Sequence, residues 1–203
     1  NGYYQWVNGV ETKSFVLTAD IDLEGSEWEP MGTFWKENNN TTDAGQFYSG
    51  TFDGGNHVIK NFKITQAYHG QIGFFGYTSG ATVKNLGIED MNINYSIESN
   101  GNVGGMIGYG SVTATNCYIK NSEILAPALR YYSVGGFMGK TRFASTFENC
   151  YLYGCTLRAK DNSNVAGFIS SIERDGNVVT NCYVANTQVH SSNQAAVYPF
   201  ICN

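Results

Sequence analysis

Hydrophobic positions in this chain recur over long distances rather than at the 3.6-residue period of an amphipathic helix. Gln71-Ile72-Gly73-Phe74-Phe75-Gly76, Asn102-Val103-Gly104-Gly105-Met106-Ile107-Gly108 and Ser133-Val134-Gly135-Gly136-Phe137-Met138-Gly139 align with one another, and a looser copy follows at Asn164-Val165-Ala166-Gly167-Phe168-Ile169-Ser170. Ile72, Val103, Val134 and Val165 are spaced 31, 31 and 31 residues apart, and Val197 opens a partial copy 32 residues later. A second set matches within the same period: Asn61-Phe62-Lys63-Ile64, Asn85-Leu86-Gly87-Ile88, Asn116-Cys117-Tyr118-Ile119, Asn149-Cys150-Tyr151-Leu152 and Asn181-Cys182-Tyr183-Val184. Five positions beyond each of the last four stands a further apolar residue: Ile93, Ile124, Leu157 and Val189.

A period of this length means a solenoid, a propeller or an array. Each unit holds short alternating runs such as Cys117-Tyr118-Ile119, separated by Gly, Asn and Ser, which read as strands and turns without a helix. About 31 residues is too short for a four-stranded propeller blade, and the leucine ladder of a leucine-rich repeat is missing. The pattern predicts an all-β chain, a right-handed parallel β-helix of about five rungs. Residues 1–46 are expected to form an N-terminal cap with lead-in strands, holding Trp6 and Trp28, and 47–203 the repeats. The partial copy at the end suits a piece of a longer protein.

In such a stack every repeated residue becomes a column. Phe62, Leu86, Cys117, Cys150 and Cys182 are expected to fill one interior column, and Ile64, Ile88, Ile119, Leu152 and Val184 the next. Asn61, Asn85, Asn116, Asn149 and Asn181 are expected to form an amide ladder at one bend, where Asn tolerates unusual backbone angles. The paired glycines Gly104-Gly105 and Gly135-Gly136 allow close backbone approach.

Composition narrows the function. Charged residues are only 14%, the net charge is −5, and the 12 Lys and Arg are scattered, which argues against a nucleic-acid partner. No apolar run is long enough to span a bilayer as a helix. Five cysteines invite a disulfide framework, yet Cys117, Cys150 and Cys182 share a column with Leu86 and read as small buried hydrophobes with free thiols. Cys155 lies in a separate column with Met91, Ser122 and Thr187, and the cysteine spacings match no zinc pattern.

Asp20, Asp22 and Glu24 alternate with Ala19, Ile21 and Leu23 on one outward strand face, which suits a solvated surface, oxygen ligands for Ca²⁺ or acid–base work. Asp53-Gly54-Gly55-Asn56 reads as a turn. His57, His69 and His190 lie in different columns, with no nucleophile set against them. No catalytic set, cofactor site or metal site emerges. The outward aromatics are the best functional lead: Tyr118, Tyr151 and Tyr183 should stack into a flat stripe able to meet sugar rings or a partner protein. Tyr131, Tyr132 and Trp35, the last beside the Asn38–Thr42 loop, are weaker candidates.

The motifs Gly105-Met106-Ile107-Gly108 and Gly136-Phe137-Met138-Gly139, each followed by Asn-Cys-Tyr, resemble the GLUG-repeat family of bacterial surface and secreted proteins. So do the upstream segments Phe15–Leu23, Trp28-Glu29-Pro30-Met31-Gly32 and Gly50–Ile59. The similarity runs over about 15–200 and departs from the family where Met106, Phe137 and Phe168 replace Leu. It implies a β-helix at a bacterial surface or outside the cell. Three functions remain open on the sequence: a non-catalytic module binding an extracellular glycan or a host or partner protein, a stalk presenting another domain, and a carbohydrate-active β-helix enzyme.

Overall fold

The computed structural model describes residues 10–32, 47–66, 71–96, 101–127, 133–159, 163–191 and 196–202. Trp6, Trp35, Asn38–Thr42, His69, Tyr131 and Tyr132 lie outside these residues. The described chain is all strand and turn, with every strand pairing parallel, and it stacks as a β-solenoid of about four turns. The coils 71–96, 101–127, 133–159 and 163–191 each send strands into both a large sheet and a small one. The small sheet stacks Gln71–Ile72, Asn102–Gly104, Ser133–Gly135, Asn164–Ala166 and Val197–Tyr198 in sequence order. Strands Val10–Glu11, Phe15–Val16 and Ile21–Glu27 pair in parallel with Phe47–Tyr48 and Thr51–Ile64, so 10–32 runs as a coil beneath the repeats. Trp28 fixes its far end, stacking on Phe74 at 4.5 Å and donating from its indole nitrogen to the Phe74 carbonyl.

The interior is built from the expected columns, with one correction of register. Ile88, Ile119, Leu152 and Val184 are direct partners, but the residue beneath them is Ile59. Ile64 lies instead under Ile93, Ile124, Leu157 and Val189. Likewise His57, not Phe62, stands under Leu86. The two consecutive bends share the spacing Asn-x-x-Ile, in Asn56-His57-Val58-Ile59 and Asn61-Phe62-Lys63-Ile64. Both satisfy the column pattern, and only the inter-coil hydrogen bonds choose between them.

Both bends need left-handed backbone. At the first, Asn56, Asn85, Asn116, Asn149 and Asn181 hold φ between 52° and 63°. At the second, five residues later, Asn61, Asp90, Asn121, Gly154 and Asn186 hold φ between 48° and 68°. Asn, Asp and Gly are the residues that tolerate this region. The amides of the first bend form the expected ladder: Asn116 Nδ2 donates to Asn85 Oδ1, Asn149 to Asn116 and Asn181 to Asn149, at 3.1, 3.1 and 3.2 Å. Asn61 belongs to the second bend and donates to Asp22 instead.

Between coils the main chains approach closely where the glycine pairs lie. A Cβ built on Gly136 would stand 2.1 Å from the Gly167 carbonyl oxygen, so no larger residue fits the observed spacing. Inside, Phe137, Phe168 and Phe200 stack at 4.9 and 5.2 Å. All five cysteines are free thiols. Cys117, Cys150 and Cys155 are buried, but Cys182 is half-buried, because its coil is covered from below and only partly from above by 196–202.

Candidate binding face

Tyr118, Tyr151 and Tyr183 sit one above another in the strands Tyr118–Lys120, Tyr151–Tyr153 and Tyr183–Ala185. Strand alternation explains why they face out: Ile119, Leu152 and Val184 beside them are turned inward. Tyr118 and Tyr151 are 5.1 Å apart at the ring centroids with planes 7° apart, and Tyr151 and Tyr183 are 5.0 Å apart with planes parallel. The ring spacing is that of the coils themselves, so the fold imposes the stack.

The lower end of the stack is anchored. Gly87 occupies the position beneath Tyr118, and a Cβ there would stand 2.5 Å from the Tyr118 ring. The ring therefore settles over the Gly87 backbone and reaches Glu89, donating from its hydroxyl to Glu89 Oε1 at 2.9 Å. Burial first, and the Glu89 carboxylate second, raise the Tyr118 phenol well above its ordinary value. The Lys120 ammonium lies 4.8 Å from the Tyr118 centroid and 5.9 Å from that of Tyr151. Tyr118 and Tyr151 are consequently half-buried, while Tyr183 is 50% exposed and Tyr153, one column over, 40%. Asn186 donates to the Tyr153 hydroxyl. The ring faces of Tyr118 and Tyr151 are thus taken up within the stack, and the open member is Tyr183.

The acidic strand of the first coil is used internally. Asp20 accepts from the Val58 amide at 3.0 Å and lies 3.1 Å from His57 Nδ1. Asp22 accepts from Asn61 Nδ2 and the Glu24 amide, and lies 3.4 Å from the Lys60 ammonium. Asp53 plays the same part for the first ladder, accepting from Asn85 Nδ2 and pairing with Lys84 at 3.1 Å. Its side chain also accepts from the Gly55 amide, where the strand Thr51–Ile64 runs on with a shift of register between Asp53 and His57 rather than ending in the expected turn. These bonds hold all three carboxyls below the usual aspartate value. Among the described residues no group of three or more His, Cys, Asp and Glu is arranged to hold a metal ion. His190 lies by Gln188.

Sequence reasoning missed a second outward cluster, formed by Tyr77, Tyr109, Lys140, Arg142, Phe143, Glu173 and Arg174. Its signal was present as a change in repeat length: Asn116 to Asn149 spans 33 residues where Asn85 to Asn116 spans 31.

The chain is 28% identical over 141 residues to halomucin of Haloquadratum walsbyi, a match covering 65% of this chain and 1% of halomucin. The chain thus spans a very small fraction of the length of that relative. No family model matches the chain. No solved structure matches it. No helix among the described residues is long and apolar enough to cross a membrane.

Proposed function

We propose that this chain is a non-catalytic β-solenoid module of a surface or secreted protein, which binds an extracellular glycan or a partner protein through the Tyr118–Tyr151–Tyr183 face. The observation that carries this reading is the parallel ring stack with its upper member, Tyr183, half exposed. Rings held in register by the coils lose little conformational freedom when a ligand stacks on them. The extracellular setting draws on the resemblance to GLUG-repeat proteins and on the match to halomucin. A second reading, a stalk that presents another domain, is favoured by the great length of that relative, of which the match covers 1%.

The test pairs binding with stability. A glycan array and a panel of extracellular matrix proteins are screened with the intact chain, then with Tyr183→Ala. Tyr183 touches the stack on one side only, so the variant should keep its melting temperature within a few degrees and lose about tenfold in affinity for any ligand found. Full-strength binding by this variant would remove the stripe from the site. An absence of any ligand for the wild type would favour the stalk.

A further inference from the structure

One corner of the large sheet differs in length between coils, and it is longest in the last two. Gly110, Thr141 and Ile172 are direct partners, as are Thr113, Thr146 and Val178. The chain covers this interval in three steps in coil 101–127, five in coil 133–159 and six in coil 163–191. The extra length carries Arg142-Phe143-Ala144 in one coil and Glu173-Arg174-Asp175-Gly176-Asn177 in the next. Coil insertions on one face of a solenoid are where such folds elaborate a binding surface.

The inserted residues are held in place. Asn177 accepts from the Ser145 amide at 3.0 Å and donates to the Arg174 carbonyl at 2.8 Å, tying one loop to the other. Ser145 donates to the Phe143 carbonyl and accepts from the Val112 amide. Phe143 is 44% exposed, and two guanidinium groups lie against its ring: Arg142 at 5.1 Å and Arg174 at 5.6 Å. Below them the buried Tyr77 lies 5.3 Å from the half-buried Tyr109, and Arg142 donates to the Tyr77 hydroxyl. Glu173 is engaged by Lys140 at 3.3 Å and by the Tyr109 hydroxyl. No carboxylate among the described residues forms an ion pair with Arg142 or Arg174, although Asp175 belongs to the same loop. The corner therefore gathers two of the four arginines of a chain of net charge −5 around an exposed ring.

We propose that this corner is a binding site for an acidic sugar ring, with Phe143 and Tyr109 meeting the ring face and Arg142 and Arg174 holding its anionic group. Arginine matches a carboxylate or a sulfate with paired N–H donors, and aromatic faces match the C–H face of a pyranose. The site is separate in sequence and column from the Tyr118–Tyr151–Tyr183 stripe, and it stands or falls independently of the function proposed for that stripe.

The experiment measures retardation of the intact chain in gels containing polygalacturonate, chondroitin sulfate or neutral dextran, followed by titration calorimetry. The wild type should bind at least one acidic polymer and not dextran, with affinity falling as salt is raised from about 50 to about 300 mM, on the scale that screening implies. The polymer preferred tells carboxylate from sulfate. Arg174→Gln, whose side chain supports no contact in the core, should weaken binding about tenfold at unchanged melting temperature. The pair Arg142→Gln and Arg174→Gln should abolish it. Tyr183→Ala should bind the acidic polymer as the wild type does. Equal behaviour in dextran and in both acidic polymers would overturn the proposal, as would wild-type affinity in a natively melting Arg174→Gln.

Discussion

Asn149 donates from Nδ2 to Asn116 Oδ1 at 3.1 Å while both residues hold left-handed backbone, φ 53° and 54°. One side chain thus answers two demands: it tolerates the bend, and it bonds the coils above and below, since Asn181 donates to Asn149 in turn. Replacing Asn149 by Ala removes both amide bonds and places a Cβ-bearing residue without a polar side chain in this region. The cost should be about 3 kcal/mol, from roughly 1 kcal/mol per bond and roughly 1 for the backbone. Asn149→Gly loses the bonds but not the backbone freedom, and should cost about 1 kcal/mol less than Ala at that site. Urea midpoints in the order wild type, Gly, Ala check this; an Ala variant as stable as Gly would show that the bend is not strained.

Gly136 shows a different use of glycine, since its need is space. With a Cβ 2.1 Å from the Gly167 oxygen, Gly136→Ala must push apart neighbouring coils whose hydrogen bonds depend on their spacing. A loss of about 3 kcal/mol is expected, at the upper end of ordinary overpacking. A melting temperature unchanged within about two degrees would mean the coils can separate locally without cost.

The thiols should be silent in the native protein. Contact with the Cys117 sulfur foremost pushes the Cys150 thiol up to about 12, and burial pushes Cys155 up to about 11, so neither supplies thiolate at neutral pH. Alkylation at pH 8 should leave Cys117, Cys150 and Cys155 unmodified, and denaturation without reductant should release five reactive thiols. Fewer than five would reveal a disulfide. Cys150→Asp places a charge at a fully buried position and should prevent folding.

Acid should destabilise the fold through the carboxylates at the N-terminal end of the stack. Asp22 and Asp53 have their carboxyls lowered by bonds made only in the fold. Their contribution is fully present above the unfolded aspartate value of about 3.9 and is lost as pH falls through the lower folded value. The melting temperature should therefore drop more steeply below about pH 4 than between pH 5 and 7. The double variant Asp22→Asn and Asp53→Asn should be less stable at pH 7 and show a shallower drop. Parallel curves for variant and wild type would assign the acid sensitivity to other groups.

The repeat, the outward tyrosines, the buried Cys117 and Cys150 and the ladder from Asn85 to Asn181 were legible without coordinates. Each coil packs against its two neighbours, so a residue's column is encoded by spacing alone. Position 118 must face outward because positions 117 and 119 carry residues the core requires. What spacing could not decide was any choice between locally equivalent alternatives. Asn56 and Asn61 open bends with the same Asn-x-x-Ile spacing, and only the pairing of coils, which sets Ile59 under Ile88 and Ile64 under Ile93, decides which column each joins. Nor could lettering foresee that Gly87 lets Tyr118 fold down toward Glu89, leaving Tyr183 as the open end of the stack. The Arg142–Phe143–Arg174 cluster was hidden for the same reason. Its members come from insertions that break the period, and residues outside the period are brought together only by the stacking of the coils that carry them.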